Sequence, residues 1–162
     1  MSLIENKERI FSQVAQAMET ANRTDQVNVI AVTKYVGIDQ AKALVDTGVC
    51  HIGENRVDKF LEKYQALKDE GLTWHLIGSL QRRKVKEVIN YVDYFHALDS
   101  MKLAQEIQKR ASHPIKCFIQ VNISGEESKH GFAPEELDAV LPELEGLDNL
   151  QIVGLMTMAP FE

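Results

Sequence analysis

The chain has 162 residues, 44% apolar and 26% charged, which predicts one domain with the ordinary balance of a globular protein and a sizeable core. A net charge of −6 excludes a broad, sequence-independent nucleic-acid binder, which would carry an excess of Lys and Arg. The apolar runs fall short of the ~20 residues that span a bilayer, the N-terminus lacks a signal-peptide core, and Cys50 and Cys117 form no C-x-x-C pair, so no membrane and a cytoplasmic setting are expected.

An amphipathic helix opens the chain, carrying Ile4, Ile10, Phe11, Val14 and Met18 on its apolar positions. It is expected to pack across a barrel or its outer ring. Six short apolar runs follow, at Val27–Val32, Cys50–Gly53, Thr73–Ile77, Tyr94–Leu98, Ile115–Val121 and Leu150–Met156, with starts 23, 23, 21, 21 and 35 residues apart. Near-continuous runs of this kind suit parallel strands covered on both faces. Helical spacing fills the gaps, as in residues 38–45 and 102–107. Asp99 or Ser100 is a candidate cap for the second, and Pro134 with Glu135 and Glu136 marks another helix start.

Alternating β and α elements predict an α/β fold with a parallel sheet. The even spacing, and the lack of a G-x-G-x-x-G turn, favour a (β/α) TIM-type barrel over an open doubly wound sheet. A complete barrel takes eight strands and about 250 residues. This chain supplies about six of the eight, ending at Pro160-Phe161-Glu162. The expectation is a single barrel domain over 1–162, C-terminally incomplete, with two unpaired edges.

In such a barrel the working groups sit where strands end and helices begin. Those positions read Thr33-Lys34-Tyr35, Glu54-Asn55-Arg56, Gly78-Ser79 with His75 inside its strand, Asp99-Ser100, Asn122, and Met156-Thr157. Lys34 follows Val29-Ile30-Ala31-Val32, so its amine is expected in the barrel mouth, where desolvation favours the neutral nucleophile; on position alone, a surface lysine at a strand end is the commoner case. Asn55 is able to bind a ligand or to cap the next helix. By themselves His75 reads as a satisfied core histidine and Met156 as plain core. Arg56 and Arg82-Arg83-Lys84 are most simply solvated helix faces. The long loop Ser124–Phe132, with Glu126, Glu127, Lys129 and His130, is of a length that often carries function.

Six ordered segments carry a resemblance. Val-Thr-Lys-Tyr at 32–35, Ile-Gly-Glu-Asn-Arg at 52–56, Trp-His-Leu-Ile-Gly-Ser-Leu-Gln at 74–81, Leu-Asp-Ser at 98–100, Gln-Val-Asn-Ile-Ser-Gly-Glu at 120–126 with Lys129 and Gly131, and Gly-Leu-Met-Thr at 154–157 resemble the signature segments of the pyridoxal 5′-phosphate (PLP) homeostasis proteins. The resemblance spans nearly the whole chain. It implies the barrel of the alanine-racemase N-terminal type, PLP as cofactor, and a role in PLP homeostasis without an established catalytic reaction. It implies Lys34 as the Schiff-base lysine, Asn55 near the ring and its 3′-oxygen, His75 lining the ring pocket, and Met156 packing near the ring. PLP-dependent apo-enzymes are the implied recipients.

The chain departs from that family in lacking a Ser-Met-Gly-Met-Ser type segment and the later Gly/Arg segment. Loops after strands 7 and 8 commonly hold phosphate in such barrels, so weakened PLP affinity is expected of this chain. The competing functions are a PLP-dependent amino-acid racemase or decarboxylase of the same barrel type, and a Schiff-base aldolase without PLP. Metal-dependent hydrolysis is disfavoured, because the five histidines show no H-x-H or H-E-x-x-H spacing.

Overall fold

Each apolar run becomes a strand, and each stretch of helical spacing becomes a helix lying over it. The computed structural model describes residues 2–126 and 130–160. Its strands are β1 (Ile30–Val32), β2 (His51–Glu54), β3 (Thr73–Leu76), β4 (Tyr94–Leu98), β5 (Ile115–Gln120) and β6 (Leu150–Met156). They pair in chain order, all parallel, as a six-stranded sheet with β1 and β6 at its ends. This is the α/β architecture and strand number expected from the runs. The first strand is shorter than its run: Ile30 pairs with His51, the first residue of β2. Val27–Val29 precede Ile30 outside the strand, in no strand pair among the described residues.

The helices are α1 (Leu3–Thr20), α2 (Ile38–Asp46), α3 (Val57–Leu67), α4 (Arg82–Val88), α5 (Met101–Arg110) and α6 (Leu137–Glu145). Ser2 starts α1 with a capping box, its hydroxyl accepting from the Glu5 amide at 3.2 Å while the Glu5 carboxylate accepts from the Ser2 amide at 3.3 Å. Ser100 rather than Asp99 caps α5, accepting from the Leu103 amide at 3.1 Å. Pro134 begins a single 3-10 turn that leads into α6. No helix among the described residues is long and apolar enough to cross a membrane.

The core lies between the sheet and its helices. Ile52, Trp74, Leu76, Phe95, Cys117 and Ile119 point outward from the strands and meet Phe60, Leu67, Val85, Leu103, Ile107 and Leu144 of the helices. Phe60 and Trp74 contact edge to face at 5.5 Å between centroids. The helix α1 takes no part in this core. It lies beside α2 with Phe11, Val14 and Met18 half-buried and Ile4 and Ile10 exposed. It thus occupies the outer ring rather than crossing the barrel, and only part of its apolar stripe meets a partner. At the sheet's ends Val32, Val153 and Leu155 are exposed, as unpaired strand edges require.

Side chains alternate along a strand, so residues opposite the core line the concave inner face. They are His51, His75, Tyr94, His96, Lys116 and Phe118. Where the strands end, this inner face meets the rim that carries the candidate site. Glu127 and Lys129 of the long loop lie outside the described residues.

Candidate functional site

Lys34 and Asn55 lie at the ends of two adjacent, paired strands, β1 and β2. Val32 pairs with Gly53, and the Thr33 amide donates to the Gly53 carbonyl at 3.0 Å. The register thus continues one residue past β1, to Thr33, and Lys34 and Asn55 are the residues that follow on these adjacent strand ends. Lys34 occupies a turn closed by the Val36 amide donating to the Thr33 carbonyl at 3.2 Å. Its side chain is exposed, with Nζ 5.1 Å from the centroid of the Tyr35 ring. The desolvation expected of this amine at the barrel mouth is not seen. The chain turns away immediately after Thr33, and solvent reaches the lysine.

Asn55 does not cap α3. Arg56 holds the cap position, makes no side-chain cap bond, and pairs instead with Asp58 at 2.9 Å. The Asn55 side chain is exposed and makes no hydrogen bond to the described residues, which leaves its carboxamide available to a ligand. Gly78, at the end of β3, packs on the Asn55 backbone with φ +153°; a Cβ there would stand 3.0 Å from the Asn55 carbonyl oxygen. This glycine keeps the rim beside Asn55 low and open.

His75 sits below that rim in a file of imidazoles. Its Nε2 lies 2.9 Å from His51 Nδ1 and its Nδ1 lies 2.9 Å from His96 Nε2. Its ring stacks on Tyr94 at 4.7 Å between centroids. Burial first, and then the neighbouring His96 and His51, push its pKa down to about 3, and burial lowers that of His96. His75 is therefore neutral near neutral pH, with both ring nitrogens already engaged. It forms part of the inner floor through its ring, as a satisfied core histidine does. Lys116 continues this face, its Nζ 3.4 Å from the Tyr94 hydroxyl.

Met156 ends β6, at the far edge of the sheet from Lys34, in register with Gln120. It lines an apolar cavity of about 230 Å³ with Val121, Ile123, Pro134, Leu137 and Leu155. The structure does not bring it into contact with Lys34, Asn55 or His75. Nearby, Asp99 and His130 approach at 3.6 Å, and burial raises the Asp99 pKa against the pull of His130.

A buried polar network beneath Lys34 escaped the sequence reading. Lys63 of α3 is 3% exposed and Glu54 is 1% exposed. The Lys63 ammonium donates to Glu54 Oε2 at 2.6 Å and to the Thr33 carbonyl at 2.7 Å. The Thr33 hydroxyl donates to the same carboxylate oxygen. The available signal was a lysine on an apolar face: Phe60, Lys63 and Leu67, spaced by three and four, are the buried residues of α3.

Comparison with known proteins joins this geometry to a family. The family described as alanine racemase, N-terminal domain, matches residues 6–162. The chain belongs to this family. A pyridoxal phosphate homeostasis protein of Aquifex aeolicus (strain VF5) is 38% identical over 165 residues, covering 99% of this chain and 72% of that relative. The structure of PipY of Synechococcus elongatus PCC7942 with PLP bound superposes with a TM-score of 0.82 at 29% identity, covering 99% of this chain and 72% of that chain. Alanine racemase of Clostridium difficile 630 has a TM-score of 0.66 at 19% identity, covering 82% of this chain and 36% of that one, a likeness of fold.

The residues of this family member fit a PLP-like group by their chemistry. A primary amine and an unengaged carboxamide stand on adjacent strand ends, beside a glycine that leaves the rim open. An amine suits an aldehyde, and a carboxamide suits a ring oxygen.

Proposed function

We propose that this chain binds pyridoxal 5′-phosphate through a Schiff base on Lys34 and serves intracellular PLP homeostasis rather than catalysis. The observation that carries the reading is the exposed Lys34 amine just past the end of β1, with the unengaged Asn55 just past the end of the neighbouring β2. The names of the curated relatives and the PLP in the PipY structure support it. PLP supplies an aldehyde for an amine, an aromatic ring and a phosphate. In this chain Lys34 offers the nucleophile and Asn55 a hydrogen bond to the ring oxygen. His75, held neutral in its file, keeps a positive charge off the floor of the pocket. Met156 enters this reading through the family resemblance alone; in the structure it packs with the core beside α6.

As a homeostasis protein the chain holds the cofactor and releases it to PLP-dependent apo-enzymes. The cytoplasmic setting expected from the sequence goes with this role, and Cys50 and Cys117 are free thiols.

The test is the visible absorption spectrum with added PLP, before and after borohydride, on the natural sequence and on Lys34→Ala. A band lost in Lys34→Ala, with the reduced adduct mapped to Lys34, is the expected result. An unchanged band in Lys34→Ala, or none in either protein, overturns the reading. Alanine racemisation by the loaded protein would overturn the non-catalytic part.

A further inference from the structure

We propose that Lys63 and Glu54 are positioning residues for the Lys34 amine, which they hold by fixing the backbone of the residue before it. This inference rests on the reading of Lys34 as the PLP lysine.

Thr33 is the last anchored residue before the turn that presents Lys34, and every polar group it has is engaged. Its amide donates to the Gly53 carbonyl, its hydroxyl donates to Glu54 Oε2, and its carbonyl accepts from Lys63 Nζ at 2.7 Å and from the Val36 amide at 3.2 Å. Glu54 in turn is the residue before Asn55. One ammonium group on α3 therefore joins the backbone carbonyl of the residue before Lys34 to the side-chain carboxylate of the residue before Asn55. The Lys34 side chain is exposed, with Nζ 5.1 Å from the centroid of the Tyr35 ring, so its placement rests on the backbone below it.

The energetics favour a positioning role over a stabilising one. Removing an ammonium and a carboxylate from water is expensive, and well-packed apolar residues often serve stability as well or better. The carboxylate here is not even fully used, because Glu54 Oε1 is buried without a hydrogen-bond partner. An apolar pair would fill the same space, yet it would leave the Thr33 hydroxyl and carbonyl without these contacts and the turn free to move. Small displacements of a reacting group are enough to reduce its reactivity sharply.

The test uses Lys63→Met, Lys63→Arg and Glu54→Gln in the full chain, under conditions where circular dichroism shows each to be folded. Two quantities are read: amide hydrogen exchange of residues 33–37, and reductive labelling of Lys34 by pyridoxal with cyanoborohydride, relative to exposed Lys102 in the same sample. Lys63→Met and Glu54→Gln are expected to speed exchange in the turn and to lower the Lys34-to-Lys102 labelling ratio by about tenfold. Lys63→Arg, which keeps the donor, is expected to restore both. A labelling ratio unchanged in folded Lys63→Met or Glu54→Gln overturns the inference. If Lys63→Met does not fold, Glu54→Gln decides. A natural chain in which Lys34 labels no faster than Lys102, with pyridoxal or with PLP, sinks the PLP reading instead. Exchange in the turn then decides by itself whether the ion pair holds it.

Discussion

The imidazole of His75 lies flat against the phenol of Tyr94, with centroids 4.7 Å apart and planes inclined by 11°. The stack holds His75 in place between His51 and His96, on the inner face.

That placement makes stability depend on pH. In the unfolded chain His75 takes up a proton near 6.5; folded, burial and its two histidine neighbours delay protonation until about 3. The unfolded state thus binds more protons between those values. The contribution of His75 is fully present above 6.5 and is lost as pH falls toward 3, at up to about 1.4 kcal/mol per pH unit. His96, also depressed by burial, acts in the same direction. Denaturant titrations at pH 7.5 and pH 5 should show the natural chain weakening and His75→Gln weakening less. Equal slopes would mean that His75 does not couple folding to protons.

Breaking the buried pair from one side should be costly. Lys63→Met leaves the Glu54 carboxylate buried and without its cation, a loss of about 3–5 kcal/mol on urea unfolding. Adding Glu54→Leu should return most of it, because the uncompensated charge is then gone. A double variant no more stable than Lys63→Met would refute this account.

Gly78→Ala should destabilise the rim. Its φ of +153° is unfavourable for any residue with a side chain, and the new methyl would press on the Asn55 carbonyl oxygen at 3.0 Å. A loss of about 1–3 kcal/mol is expected, read from the midpoint of thermal unfolding. A neutral substitution would show that the rim relaxes freely.

The two thiols should separate cleanly. Cys50 is exposed, whereas Cys117 faces the core and its pKa is pushed up to about 12 by burial. Iodoacetamide at pH 8 should modify Cys50 in the native protein and reach Cys117 only after unfolding. Equal rates in the native state would contradict the packing of β5 against the helices.

Much of the fold was legible in residue order. Val and Ile runs at 21- to 23-residue intervals marked five of the strands, and the run Leu150–Met156 matches β6 residue for residue. Ser100 as a cap followed the same local logic, since a hydroxyl before a helical stretch has a free amide within reach. The strand ends pointed to Lys34 and Asn55 as rim residues, and pairing of β1 with β2 makes those two strand ends neighbours. The role of His75 was not readable, because a lone histidine in a strand says nothing of the rings on neighbouring strands. His51 and His96 stand 24 and 21 residues away.

The sequence by itself determined the order and kind of the elements, because backbone periodicity and capping act over a few residues. Only the tertiary structure decided what those residues meet. It seated the charge of Lys63 under the Thr33 carbonyl, left Lys34 in solvent and Asn55 unengaged, and joined three distant histidines into one file. The reason is that burial and hydrogen-bond partners depend on neighbours across strands, which pairing register fixes and local sequence does not.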